Sequence, residues 1–345
     1  MSQPPSDVAP ETEQGTPPEE DTSGPVQTDQ GRSTAETIAT LGPLIALLIL
    51  CAIFTLTTDR FLSGGNLSLV VQQVMVIGTL AIGQTLIILT AGIDLSCGAV
   101  MAFGGIVMTK LAVDSGVPPV MAILIGILVC AAFGFLNGSF VTALGLPPFI
   151  VTLGTLNIAF ALTHIYSQDE TISDLPSVMT TFGNSFSVAG TAISYGSILA
   201  LAMFALFWFL LTQTAWGRRL YALGDNPEAT RLMGIAVNRK LLAIYTIAGA
   251  IYGVAALLLI ARTNVGDPNA GLTENLDSIT AVVLGGTSLF GGRGTIIGTL
   301  IGALIVGVLR NGLVLLGVAS IYQVLITGIL VILAVSVDQI ARRRS

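Results

Sequence analysis

Residues 67–90 read LSLVVQQVMVIGTLAIGQTLIILT, without one charged side chain. A helix needs about 20 apolar residues to cross the hydrocarbon of a bilayer, so this stretch is long enough to span one. The chain then breaks into Ala91-Gly92-Ile93-Asp94-Leu95-Ser96 before apolar residues resume. The same alternation of apolar run and polar or Pro/Gly break continues in both directions. It predicts about ten spans, at 40–57, 67–90, 95–113, 119–142, 148–166, 194–212, 240–261, 276–289, 295–314 and 320–338. The eighth run is short and reads as a half-helix or a re-entrant segment. The fold class that follows is all-α, a polytopic membrane protein with about ten transmembrane helices.

Composition supports this. Hydrophobic residues make up 53% of the 345 positions and charged residues 10%, against roughly 25% charged in soluble domains. Mean hydropathy is +0.85. Such a chain lacks the charge to cover a globule in water, which excludes a soluble enzyme, a secreted scaffold or a nucleic-acid binder. The formal net charge of −6 is concentrated at one end. Residues 1–36 carry Asp7, Glu11, Glu13, Glu19, Glu20, Asp21, Asp29 and Glu36 against Arg32 alone, so everything after them is nearly neutral. This Pro-rich acidic stretch is expected to be a disordered tail, with the membrane domain at 37–345. It lacks the basic start and directly following apolar run of a signal peptide.

Orientation follows from the basic residues. With the N-terminus inside and strict alternation, Arg32, Arg218, Arg219, Arg231, Arg239, Lys240, Arg293, Arg342, Arg343 and Arg344 fall on the cytoplasmic side. Arg60, Lys110, Arg262 and Arg310 fall outside. The excess inside favours an N-in, C-in arrangement. Cys51, Cys97 and Cys130 stand in apolar runs without metal-ligand spacing and read as small buried residues. His164 is the only histidine and reads as an interface residue near a helix end.

Two connections exceed a tight turn: 167–193, facing outward, and 213–239, facing inward. The inward one contains Leu223-Gly224-Asp225-Asn226-Pro227-Glu228-Ala229-Thr230-Arg231-Leu232-Met233-Gly234. Asn226 is a favoured N-cap, Pro227 suits the first helical position, and Glu228 complements the positive helix end. Gly234 can take the left-handed conformation that ends a helix. A two-turn helix over 227–233 is predicted, with Ala229, Leu232 and Met233 forming a small apolar face. That face suits a protein groove or the lipid interface.

This loop resembles the coupling helix of ABC importer permeases, the element that seats in a cleft of the ATPase subunit. Three more stretches resemble the ribose/fructose-type sugar permease family. They are Gly92-Ile93-Asp94-Leu95-Ser96, the run from Leu146-Pro147-Pro148-Phe149 to Thr155, and the run from Leu284-Gly285-Gly286-Thr287-Ser288 to Gly294. The Pro-Pro-Phe segment, Tyr166–Ile172 and Val337-Asp338-Gln339 look closest to fructose-type members. The resemblance implies a permease subunit in the cell membrane. It implies three partners: a cytoplasmic ATPase that holds the ATP and Mg, an external sugar-binding protein, and a second permease copy. Gly224, Asp225, Asn226, Pro227, Glu228, Ala229, Arg231, Leu232 and Gly234 are then the residues that couple to the ATPase. No phosphate-binding Gly-x-x-x-x-Gly-Lys-Ser/Thr run is present, so no cofactor is expected on this chain. Two positions depart from the family: Cys97 replaces a valine, and Arg310 replaces an uncharged residue. Arg310 is expected to snorkel to the outer interface, with lining of the pathway as the alternative.

Sugars need hydrogen-bond partners more than charges. Candidates for the pathway are Gln72, Gln73, Gln84, Asn137 and Asn157, together with Asp94 and Ser96 at the break. Each amide can equally bond a neighbouring helix. Asp94 can cap the third helix, shape a polar break beside the pathway, or do both. An ion-coupled secondary sugar transporter is the alternative function; such proteins usually carry several membrane carboxylates, and here only Asp94 and Asp277 come near that role. Deleting residues 2–34 is expected to leave vesicle uptake near normal, and a well-expressed but inactive truncation would refute the reading of the tail as dispensable.

Overall fold

The computed structural model describes residues 29–188 and 191–344. Two units are distinguished, residues 1–38 and 39–345. The expected disorder of residues 1–28 lies outside the described residues. From Asp29 the backbone is helical, so helix α1 (Asp29–Thr57) begins inside the stretch assigned to the tail.

Every apolar run becomes a helix: α1, then α2 (Gly64–Leu89), α3 (Cys97–Val113), α4 (Pro119–Ala143), α5 (Pro148–Ser167), the short α6 (Ser177–Thr180), and α7 (Tyr195–Gln213). After α8 (Ala215–Asp225) and α9 (Pro227–Leu232) come α10 (Val237–Thr263), α11 (Glu274–Leu284), α12 (Ile296–Leu315) and α13 (Ser320–Arg344). Among the described residues six helices are long and apolar enough to cross a membrane: α2, α4, α5, α7, α10 and α12. The apolar parts of α1, α3 and α13 are shorter. Helix α11 has 11 residues, about 16 Å at 1.5 Å per residue, half the ~30 Å of hydrocarbon. The eighth run is therefore a half-helix. The described residues are mostly helical, as expected, and the connection between α5 and α7 adds a short antiparallel strand pair, β1 (Ser185–Val188) with β2 (Thr191–Ser194), Ser185 opposite Ser194.

Helix starts follow local chemistry. The hydroxyls of Ser63, Ser194 and Thr295 accept from Asn66 N, Ser197 N and Gly298 N at the heads of α2, α7 and α12. Pro119 and Pro148 open α4 and α5, where a missing N–H costs nothing.

Helix α2 is the axis of the larger unit. Of its most apolar window 83% is buried, against 28% for α4 and for α5. Against it lies α12, antiparallel and clasped at both ends. Asn66 and Asn311 exchange amide bonds of 2.9 and 2.8 Å, and the hydroxyls of Thr85 and Thr299 meet at 2.7 Å. Apolar surface cannot pull helices together in lipid, so close backbone approach does that work. A Cβ at Gly134 of α4 would lie 2.1 Å from Tyr245 O of α10, and one at Gly249 2.3 Å from Cys130 O. The outer helices present large apolar side chains, among them Leu128, Ile165 and Leu201, as a lipid-facing surface requires.

Loops assigned to one side by strict alternation meet one another. Gly292 N donates to Leu89 O at 3.0 Å and Tyr221 Oη to Gly294 O at 2.9 Å. On the other side Ile172 pairs with Gly266 as an isolated bridge, and Ser68 Oγ donates to Ala192 O.

Gly134→Val is expected to lower the melting temperature of the purified protein in detergent, since overpacking costs about 1–3 kcal/mol. Gly154→Ala, where an added Cβ has nothing within 4 Å, should leave it unchanged or slightly higher.

Candidate functional site

The connection between α7 and α10 holds two helices where the sequence predicts one. Thr214 caps α8 by accepting from Gly217 N at 3.3 Å, and Leu220, Leu223 and Gly224 are buried. The i, i+4, i+7 spacing of Trp216, Leu220 and Leu223 was the available signal. Helix α9 has the ends its sequence predicts. Asn226 Oδ1 accepts from Glu228 N at 3.1 Å and Ala229 N at 2.9 Å, and Pro227 is the first helical residue. The helix stops at Leu232, one residue short of the expected end, with Met233 as C-cap and Gly234 at φ +80°.

One side of α9 is tied down and the other is free. Thr230 is buried and its hydroxyl donates to Ala222 O at 2.9 Å. Leu232 is 86% and Met233 67% exposed, with Glu228, Ala229 and Arg231 also exposed beside them. Gly224 faces the opposite way. A Cβ there would lie 1.8 Å from Leu89 O and 2.6 Å from Gly292 N. So Gly224 joins α8 to the end of α2 and to the glycine-rich turn after α11, while α9 carries the exposed face. Gly291 and Gly292 of that turn hold φ +84° and +71°, which favours glycine.

The break after α2 is the second candidate. Ala91 takes φ +59°, and the chain doubles back so that Gln84 Nε2 donates to Asp94 O. Asp94 Oδ1 accepts from Ser96 N at 2.8 Å and Ser96 Oγ at 2.6 Å; Tyr252 Oη donates to Oδ2 at 3.3 Å. Asn137 Nδ2 donates to Ser96 Oγ at 3.1 Å, Thr152 Oγ1 to Ile93 O at 3.0 Å, and Asn275 Nδ2 to Leu95 O at 3.3 Å. Ser96, not Asp94, is the N-cap of α3, and it makes no side-chain cap bond. Asp94 instead braces the turn before the cap. Cys97 Sγ accepts from Gln84 Nε2 at 3.0 Å and lies 3.5 Å from Ser278 Oγ, contacts that a valine lacks.

Of the seven pathway candidates, Gln84, Asp94, Ser96 and Asn137 gather in this one knot, all at most 1% exposed. The other three lie apart. Gln72, half-buried, donates to Ser68 Oγ one turn earlier on α2, with half-buried Gln73 beside it. Asn157 is exposed on α5 and bonds only its own helix, at Leu153 O. His164 meets Asp169 at the end of α5.

Arg310 corrects the snorkelling expectation. Its Nη1 lies 2.7 Å from Asp277 Oδ2 and its Nη2 donates to Thr273 Oγ1 at 2.8 Å. It reaches the first turn of the half-helix α11. In place of water at the outer interface, the guanidinium takes a buried carboxylate 33 positions earlier in the chain, an attraction strengthened where the dielectric is low.

Residues 66–335 match a family of permease components, described as a branched-chain amino acid transport system permease component. The chain belongs to this family. The match opens at Asn66, one half of the α2–α12 clasp, and takes in the break, the loop that holds α8 and α9, and the glycine-rich turn. Among similar proteins are three sugar permeases. The chain is 43% identical over 307 residues to the fructose import permease protein of Rhizobium meliloti, covering 87% of this chain and 85% of that one. It is 41% identical over 319 residues to the ribose import permease protein of Bacillus subtilis, covering 91% and 97%. To the D-allose transport system permease protein of Escherichia coli K12 it is 37% identical over 301 residues, covering 87% and 91%. The permease is thus an integral membrane protein of an import system.

Arg310→Leu leaves Asp277 buried without its cation and is expected to cost about 3 kcal/mol of stability, read as a lower melting temperature in detergent. Adding Asp277→Leu should recover part of the loss.

Proposed function

We propose that this permease is the membrane-spanning subunit of an ATP-driven ABC importer that moves a monosaccharide into the cell. The observation that carries the reading is α9: capped at both ends, anchored by Thr230, and exposing Leu232 and Met233. A surface of that kind suits a cleft in a cytoplasmic ATPase, which holds the ATP and Mg. Closure of the ATPase pair pushes α9. The push passes through α8 and Gly224 to the end of α2 and to the turn at Gly291–Gly292, which heads α12. Both helices line up with the rest of the bundle, so the shift tilts it between inward- and outward-facing states.

The remaining parts follow from the same reading. The half-helix α11 and the irregular chain before it make one crossing together. Ten crossings then leave both termini in the cytoplasm, in line with the excess of arginine there. An external sugar-binding protein delivers the substrate, and two copies of the chain enclose the route. Fructose and ribose are the favoured cargoes, because the relatives that name a substrate name such sugars. Ion coupling is less favoured. Asp94 is engaged by Ser96 and Tyr252, and Asp277 by Arg310, so both carboxylates already serve the fold.

Leu232→Asp and Glu228→Lys are expected to reduce co-purification of the ATPase by roughly tenfold or more, as loss of a central interface anchor does, while membrane insertion stays normal. Full retention of the ATPase in both variants would remove α9 as the docking element. Sugar uptake by vesicles driven by an ion gradient without ATP would support the secondary transporter instead.

A further inference from the structure

The chain between α10 and α11 is irregular, yet it runs deep. Gly266 lies against Thr109 of α3, where an added Cβ would come within 2.3 Å of Thr109 Oγ1. Gly271 lies against Gly98, with an added Cβ 2.1 Å from Gly98 O. Thr109 and Gly98 are three turns apart on α3, so residues 266–271 descend about 16 Å along that helix. That is about half the hydrocarbon thickness. Non-helical backbone at such depth is tolerated only inside protein or along a water-filled cavity. Here part of it is exposed: Asp267, Asn269 and Leu272 are solvent-accessible, whereas Gly266, Pro268 and Gly271 face the bundle.

A cavity of about 270 Å³ opens beside this segment, between α3 and α10. Its polar lining is Arg262, Thr263, Asp267, Asn269 and Glu274, set among Met101, Ala256 and other apolar side chains. The volume is close to the low end of ligand pockets, ~300 Å³, which suits one small sugar ring. Carboxylate, amide and guanidinium groups offer both acceptors and donors, the combination a polyhydroxylated ring needs. Both ends of the segment are fixed. Gly266 bridges to Ile172 through N–H···O bonds of 2.8 and 2.9 Å, and Arg310 holds Thr273. The wall is therefore organised before a ligand arrives.

We propose that residues 264–274 form one wall of a water-filled recess on the outer side of the permease, where Arg262, Asp267, Asn269 and Glu274 take the hydroxyls of a monosaccharide. This deepens the function proposed above and moves the substrate contacts away from the buried knot at Asp94, Ser96, Gln84 and Asn137.

Two measurements on the full transporter test it. In the first, Asn269→Cys is reacted with a membrane-impermeant methanethiosulfonate added from outside. Leu128→Cys, on the lipid-facing side of α4, serves as control, and reaction of the unaltered chain is subtracted. Asn269→Cys should react at least about tenfold faster than Leu128→Cys; equal rates overturn the water-filled recess. In the second, Asp267→Asn and Asn269→Ala are assayed for uptake of D-fructose and D-ribose. Each should raise KM by roughly tenfold, the loss of one hydrogen bond to a substrate hydroxyl, with ATPase co-purification unchanged. A KM within twofold of the unaltered transporter for both variants overturns the sugar contacts. Lack of ATP-driven uptake by the unaltered transporter overturns the importer reading instead, and the labelling comparison decides the recess without it.

Discussion

Lipid offers no hydrogen bonds, so each backbone N–H and C=O within the hydrocarbon must find its partner in the protein. Helices meet this demand internally, and most of the chain is helix. The informative places are those where helix stops. After α2 the doubled-back turn at Ala91–Ser96 is braced from five helices, by Gln84, Asn137, Thr152, Tyr252 and Asn275. After α10 the descending segment is held by Ile172 at the top and Arg310 at the bottom. After α11 the glycine-rich turn gives Gly292 N to Leu89 O.

The three interruptions are also where the parts that move must meet. Two lie against α8 or against each other: the end of α2 touches both Gly224 and Gly292. The third is tied to α12 through Arg310, and α12 is clasped to α2 by the Asn66–Asn311 and Thr85–Thr299 pairs. Helices α2, α11 and α12 are thereby linked to one another, with the loop that holds α8 and α9 at one end and the cavity beside α3 at the other.

Much of this was legible in the chain itself. Ten apolar runs mark ten helices, and Asn226, Pro227 and Gly234 mark the ends of α9, because capping depends on neighbours a few positions away. What stayed hidden depends on distant partners. The central α2 and the peripheral α5 are nearly equal in hydropathy, so that measure does not distinguish them. Arg310 looked like a residue in search of water because its partner Asp277 belongs to another helix. The amide candidates are polar residues within spans and Asp94 and Ser96 mark a break, and four of the seven are buried braces. The residues lining the recess sit in a break between spans, where a search for spans does not look. Helix α8 was missed because its apolar face is short and its Gly217 and Gly224 resemble loop glycines.

Gly224 and Leu89 meet as bare main chain, with no side chain between them. Side chains act as springs: they change rotamer and absorb a small displacement before passing it on. A joint without them has no slack. Even the smallest side chain is excluded there, since one added carbon at position 224 would force the two segments apart.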